Sequence, residues 1–208
     1  MPWSNFFRKM ALCDTFVLLD DVQYEKNGYT NRVKIRTEKG LEWITIPVKH
    51  KHDTIIRDVT IDYDSGKYWK PLNKIVENYL EAKNFQRLER GIARIFDEHP
   101  EYLWSLNTEF ICLFKEILKL PCDIVSSSDL DIKTKGSDRI LDICRLLNAD
   151  RYITGTSANK YLKLEDFRNN DIDVVYMNPL TIHKPYKQCF EPFISGASEL
   201  DFIMCADY

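Results

Sequence analysis

The sequence predicts an α/β protein with a central mixed or mainly parallel sheet, and three observations carry that reading. Short apolar runs at 15–19, 123–125, 151–153 and 174–176 have the length and the polar boundaries of buried strands. In the second half such runs alternate with helix-like segments, the rhythm of parallel strands joined by crossovers. Between the halves lie two extended runs joined by a turn, and then a change to helical period at about Lys67. The chain, 1–208, therefore reads as a single α/β domain, with a hairpin and a helical insertion or annex over 67–119 separating two α/β halves.

At the N-terminus, Phe6, Phe7, Met10 and Ala11 recur at helical spacing, with Ser4 or Asn5 placed to cap. The strand at 15–19 follows and stops at Asp20 and Asp21. The next residues set Gln23, Tyr24, Lys26, Tyr29, Asn31 and Arg32 around an Asn27-Gly28 turn. In an open α/β sheet ligands bind beyond the carboxyl ends of strands, so this loop is the first candidate site. A solvated loop whose acids cap a helix and pair with its own Lys and Arg is the competing reading. Because adjacent strand residues face opposite ways, one carboxylate of the pair enters the site; Asp21 is favoured, with Asp20 as support.

Residues 33–36 and 41–48 form a hairpin joined at 37–40, and a basic tract, Lys49-His50-Lys51-His52, follows. That tract can fold over an anion or simply be a solvated connection. Alternation over 56–63 reads as another strand, with Val59 and Ile61 on one face. Three helices are expected next. The first carries Leu72, Ile75, Val76, Tyr79 and Leu80, the second spans about 88–96, and the third, 102–119, carries Leu106, Phe110, Leu113, Phe114 and Ile117.

In the second half, Ser137 is a natural N-cap for the helix bearing Ile140, Leu141, Cys144 and Leu147. The strand at 151–153 runs into Thr154-Gly155-Thr156-Ser157 and then a helix. A strand, a small polar turn and a helix make an anion-binding geometry, because the first helical amides lack partners. Glycine and hydroxyl residues also serve such turns for backbone reasons alone. After the strand at 174–176 the tail covers the core and ends in a short helix near 200–204.

The net charge of −3, with no block of like charge, argues against nucleic acid as a partner. No apolar run approaches a membrane span, and the N-terminus lacks the order of a signal peptide. Six scattered cysteines without CxxC read as buried thiols in a reducing, cytoplasmic setting. The four histidines lack metal-site spacing, and neither a G-x-S-x-G segment nor a placed Cys/His pair is present, so no metal and no Ser or Cys nucleophile is expected.

The blocks PWSNFFRKMALCDTFVLLDDVQYEKNGYTNRVKI, TIPV, GSDRILDICRLLNADRYITG and FEPF occur in that order. Over nearly its whole length the chain resembles the WbqC-like family of bacterial surface-polysaccharide gene clusters. Members of that family are called candidate glycine or aminoacyl transferases acting on amino sugars of the O-antigen. The family usually opens with a strand and a His-Gln-Pro-x-Tyr-Leu-Pro-Trp segment, of which this sequence carries Pro2 and Trp3 only. If that histidine is catalytic, the expectation is a chain that is incomplete or impaired. With that strand restored, the layout is similar to nucleotidyltransferase and ATP-dependent ligase folds, a likeness at the level of fold alone.

The resemblance implies a transferase that places glycine, or another aminoacyl or acyl group, on the amino group of a nucleotide-linked or lipid-linked sugar. Asp21, or Asp20, then takes the proton of the sugar ammonium. Gln23, Lys26, Asn31 and Arg32 bind substrate, and Thr154, Gly155, Thr156 and Ser157 supply further donors. No motif specifies a cofactor, since adenylation of the donor and a preactivated donor both satisfy the chemistry. The alternative is a non-catalytic sugar-nucleotide-binding or assembly subunit. The oligomeric state has no signature in the sequence.

Overall fold

A computed structural model describes residues 4–177 and 184–208. Its class is mixed α/β. The elements run α1 (Ser4–Met10), β1 (Thr15–Leu18), β2 (Arg32–Thr37), β3 (Gly40–Thr45), β4 (Val48–Lys49), β5 (Thr60–Ile61), α2 (Lys70–Tyr79), α3 (Phe85–Asp97) and α4 (Leu103–Ile117). They continue through β6 (Asp123–Ser126), α5 (Gly136–Leu146), β7 (Arg151–Gly155), α6 (Leu164–Arg168), β8 (Asp173–Met177) and α7 (Glu199–Cys205). The strands pair two by two among the described residues: β1 with β6 and β7 with β8 in parallel, β2 with β3 and β4 with β5 antiparallel. The described chain falls into two compact units, one of residues 4–7, 21–120 and 184–208, the other of 8–20 and 121–177.

In the first unit the hairpin follows from its sequence. Val33 and Ile35 are buried on β2, Thr37 pairs with Gly40, and Gly40 takes φ +116, a conformation side chains rarely adopt. The run expected over 41–48 breaks where Pro47 has no N–H to donate, so β3 ends at Thr45 and β4 starts afresh at Val48. The segment expected as a strand over 56–63 is mostly not one: Ile56–Asp58 is a 3₁₀ turn and only Thr60–Ile61 pairs. Val59 and Ile61 are nevertheless buried.

The helical block forms as expected. α3 buries Phe85, Leu88, Ile92, Ile95 and Phe96, and α4 buries Leu103, Leu106, Phe110, Ile111 and Phe114. Phe96, Phe110 and Phe114 meet edge to face at centroid distances of 6.0 and 5.8 Å, a geometry that suits the aromatic quadrupole. Cys112 lies off this stripe and is exposed, so the expectation of uniformly buried thiols fails there.

The tail is fixed to this unit by a buried polar network. Asp201, with no exposed surface, accepts Tyr79 OH at 2.7 Å, Tyr186 OH at 2.6 Å and Gln188 Nε2 at 2.7 Å. Tyr79 in turn accepts the backbone N–H of Arg36 at 3.0 Å, and Arg36 donates from Nη2 to Pro192 O at 3.1 Å. Burial first, then the Asp201 charge, pushes the Tyr79 and Tyr186 phenols well up, so both stay protonated as donors.

In the second unit Cys144, Phe167 and Ile172 centre a core that Ile140, Leu141, Tyr152 and Val174 complete. The helix start differs from expectation: Lys135 is the cap residue of α5, and Ser137 Oγ instead accepts the Lys163 N–H at 3.0 Å. The entry comes two residues early, and Gly136 at φ +60, a conformation side chains rarely adopt, stands at the turn into the helix.

Candidate functional site: a polar loop laced to a basic tract

The expected site residues separate into three groups. Asp20 is the first. It is 2% exposed, lies just beyond β1, and accepts Ser127 Oγ at 3.2 Å, Ser128 N–H at 2.9 Å and Ser128 Oγ at 2.6 Å. Those serines begin the 3₁₀ turn that follows β6, so Asp20 ties together the carboxyl ends of a parallel strand pair. A carboxylate so enclosed, with its oxygens filled by protein donors, is a structural acceptor.

Thr154, Gly155, Thr156 and Ser157 form the second group, within the second unit. Thr154 is buried, while Thr156 and Ser157 are exposed. The expected helix after them is a 3₁₀ turn of five residues, Thr156–Lys160, which aligns few free amides. Gly155 has φ −88, and a Cβ there meets nothing within 4 Å, so the backbone does not require glycine at this position.

The third group lies on the first unit and is brought together with the basic tract. Tyr24 N–H donates to Thr54 O and Ile56 N–H to Val22 O, each at 2.9 Å, so the polar loop and the chain beyond the tract run side by side. Gln23 Nε2 donates to His52 O at 2.9 Å, and the Tyr24 and His50 rings lie 4.8 Å apart. Sequence reading placed the two segments near one ligand but gave no partner for Tyr24, whose contacts join residues thirty apart.

Within the loop, Asn27 adopts φ 66, and its side-chain and backbone oxygens accept Arg32 Nη1 and Nη2. The Arg32 guanidinium also lies 4.3 Å from the centroid of Trp43, and Lys34 Nζ lies 5.2 Å from the same ring. Its charge reaches Tyr24 as well: burial pushes that phenol up, and Arg32 partly opposes the shift. Asn31 is buried and exchanges two bonds with Ile46, through its backbone oxygen at 2.8 Å and its Nδ2 at 3.0 Å. Asn107 of α4 donates to Thr30 O at 2.8 Å, which fixes the loop to the helical block. Asn31 and Arg32 thus hold the loop in shape.

The groups left facing solvent are the ones able to meet a ligand. Lys26 is exposed and makes no ion pair or side-chain hydrogen bond among the described residues. His50, Lys51 and His52 are exposed, with His52 Nδ1 2.8 Å from Asp53 Oδ1. Lys49 is engaged elsewhere, with Asp64 and Asp62. Asp21 is partly buried at the start of the loop. Tyr29 and Trp43 add an exposed aromatic pair, 48% and 37% accessible, with centroids 5.5 Å apart. Among the described residues no group of three His, Cys, Asp or Glu side chains gathers as a metal site. No helix of the described residues is long and apolar enough to cross a membrane.

The model of the WbqC-like protein family matches residues 1–207. The chain belongs to this family. A relative with 30% identity over 208 residues is the "Uncharacterized protein Rv1507c" of Mycobacterium tuberculosis (strain ATCC 25618 / H37Rv). The match covers 98% of this chain and 88% of the relative. No solved structure matches.

Proposed function

We propose that this WbqC-like protein is a transferase that acylates, with glycine or another aminoacyl or acyl group, the amino group of a nucleotide-linked or lipid-linked sugar in O-antigen or surface-polysaccharide synthesis. One observation supports the reading: the start of the polar loop, Val22 to Tyr24, is bonded to the basic tract and the residues just after it, so the loop that carries Asp21, Gln23 and Lys26 runs beside exposed His50, Lys51 and His52.

The chemistry asks for those groups. A sugar ammonium is not nucleophilic, and Asp21 is the carboxylate placed to take its proton. The freed amine attacks the activated carbonyl of the donor, the C–N bond forms, and the donor's leaving group departs. Lys26, with Lys51 of the basic tract, holds the phosphate of the sugar carrier by charge-assisted hydrogen bonds. Arg32 acts through Asn27 and Trp43, keeping the loop closed and adding positive potential.

The test incubates the full chain with a nucleotide-linked amino sugar and two donor forms, glycine with ATP and a glycyl thioester. A product heavier by one glycyl residue, lost in Asp21→Asn, is expected. A carrier that binds but gains no mass from either donor, or from the corresponding alanyl pair, would contradict catalysis and leave the chain a binding subunit of the pathway.

A further inference from the structure

Two thiols of the tail meet in a way that the functional reading does not use. Cys189 Sγ lies 3.5 Å from Cys205 Sγ, a hydrogen-bonded pair from positions 16 residues apart. Each thiol is fixed by its surroundings. Cys205 is the last residue of α7 and is buried. Cys189 follows Gln188, which is locked three ways: Nε2 donates to Asp201 and to Ile194 O at 3.1 Å, and Oε1 accepts the Ile194 N–H at 2.8 Å. Cys189 is only partly buried, whereas Cys205 is buried.

The two sulfurs also differ in acidity. The hydrogen bond shared with Cys205 holds the Cys189 thiol below its ordinary value, against burial and the nearby Asp201 charge. The same bond, then burial and Asp201, push Cys205 up. By contrast, burial pushes Cys13 and Cys144 up to about 11. The Cys189 and Cys205 pair thus has the arrangement of an attacking and a resolving thiol.

We propose that Cys189 is a site of peroxide oxidation and that Cys205 resolves it to a disulfide joining the tail loop to α7. In the first step the Cys189 thiolate attacks one oxygen of hydrogen peroxide, the O–O bond breaks, and a sulfenic acid and hydroxide form; hydroxide takes up the proton that Cys189 released. In the second, Cys205 sulfur attacks the Cys189 sulfur, the S–O bond breaks, and the thiol proton leaves with the oxygen as water. Overall two thiols lose two electrons and two protons, and peroxide becomes two waters. The link closes the loop 189–205 and joins the chain next to Gln188, a donor to Asp201, directly to α7, which bears Asp201.

The full chain, reduced and desalted, is titrated with hydrogen peroxide without denaturant and read by intact mass and non-reducing peptide mapping. A Cys112→Ser background removes the most exposed thiol from the readout. The expected result is loss of two hydrogens, a peptide pair linked through Cys189 and Cys205, reversal by dithiothreitol, and a rise in apparent melting temperature of roughly 5 to 10 °C, the effect of closing a loop of this length. Cys205→Ser should stop at a dimedone-reactive Cys189. Should that variant not fold, the mapping of the Cys112→Ser protein decides alone. A different linkage, sulfinic acid at Cys189 as the main product, or Cys189 left reduced while other thiols oxidise, overturns the proposal.

Discussion

Asp201→Ala is expected to cost about 3–5 kcal/mol of stability, the largest effect of any single substitution considered, because it removes one fully buried acceptor from three donors at once. Tyr79 OH, Tyr186 OH and Gln188 Nε2 all end on that carboxylate, and Tyr79 and Gln188 are buried while Tyr186 is half-buried. The melting temperature should fall by roughly 10 °C or more for a chain of this size. Asp207, an exposed carboxylate paired with Lys83 near the same end of the chain, is the control, and its removal should change little. Equal shifts for the two variants would show that the tail network is not what holds the C-terminus in place.

A second large effect separates the two neighbouring acids. Asp20→Ala leaves the Ser127 hydroxyl and the Ser128 amide and hydroxyl without their shared acceptor, at an expected cost of about 2–3 kcal/mol. Asp21 is partly exposed in the loop, so Asp21→Ala should shift stability by less than about 1 kcal/mol. Chemical denaturation of both variants beside wild type checks this. In activity assays the Asp20 variant should lose turnover only in proportion to its unfolded fraction, whereas the Asp21 variant loses it while folded. An Asp20 variant of undiminished stability would place that carboxylate at the site and remove the argument for Asp21.

What the sequence made legible was what a few neighbouring residues decide. The hairpin followed from two short extended runs, 33–36 and 41–48, joined at 37–40, and the helices of the block from apolar residues at helical spacing. Boundaries set by one residue's backbone were harder: Pro47 split a run that alternation alone joins, and Gly136 took over the helix entry assigned to Ser137. Contacts between distant positions left no local trace. Tyr79 and Asp201 are 122 residues apart, and each alone reads as an ordinary helix residue. The same limit applies at the site, where Arg32 read as a free cation because nothing nearby announces its stacking on Trp43.

That placement of Arg32 changes which substitution tests ligand binding. Arg32→Ala would remove its bonds to Asn27 and its contact with Trp43, so loss of binding there cannot be told from loss of loop shape. Lys26→Ala carries no such cost, since Lys26 is exposed and holds nothing among the described residues.

The most direct measurement is therefore calorimetric titration of a nucleotide-diphosphate amino sugar, and of the same amino sugar free, into wild type and Lys26→Ala. The account expects the nucleotide-linked sugar to bind wild type and the free sugar to bind far more weakly. It expects Lys26→Ala to weaken the former by about tenfold to a hundredfold, the loss of one charge-assisted bond of about 1.5–3 kcal/mol, with the unliganded melting temperature unchanged. Equal binding of the free and nucleotide-linked sugars, or full affinity in Lys26→Ala, would contradict the claim that this loop and its basic tract are the phosphate-binding surface.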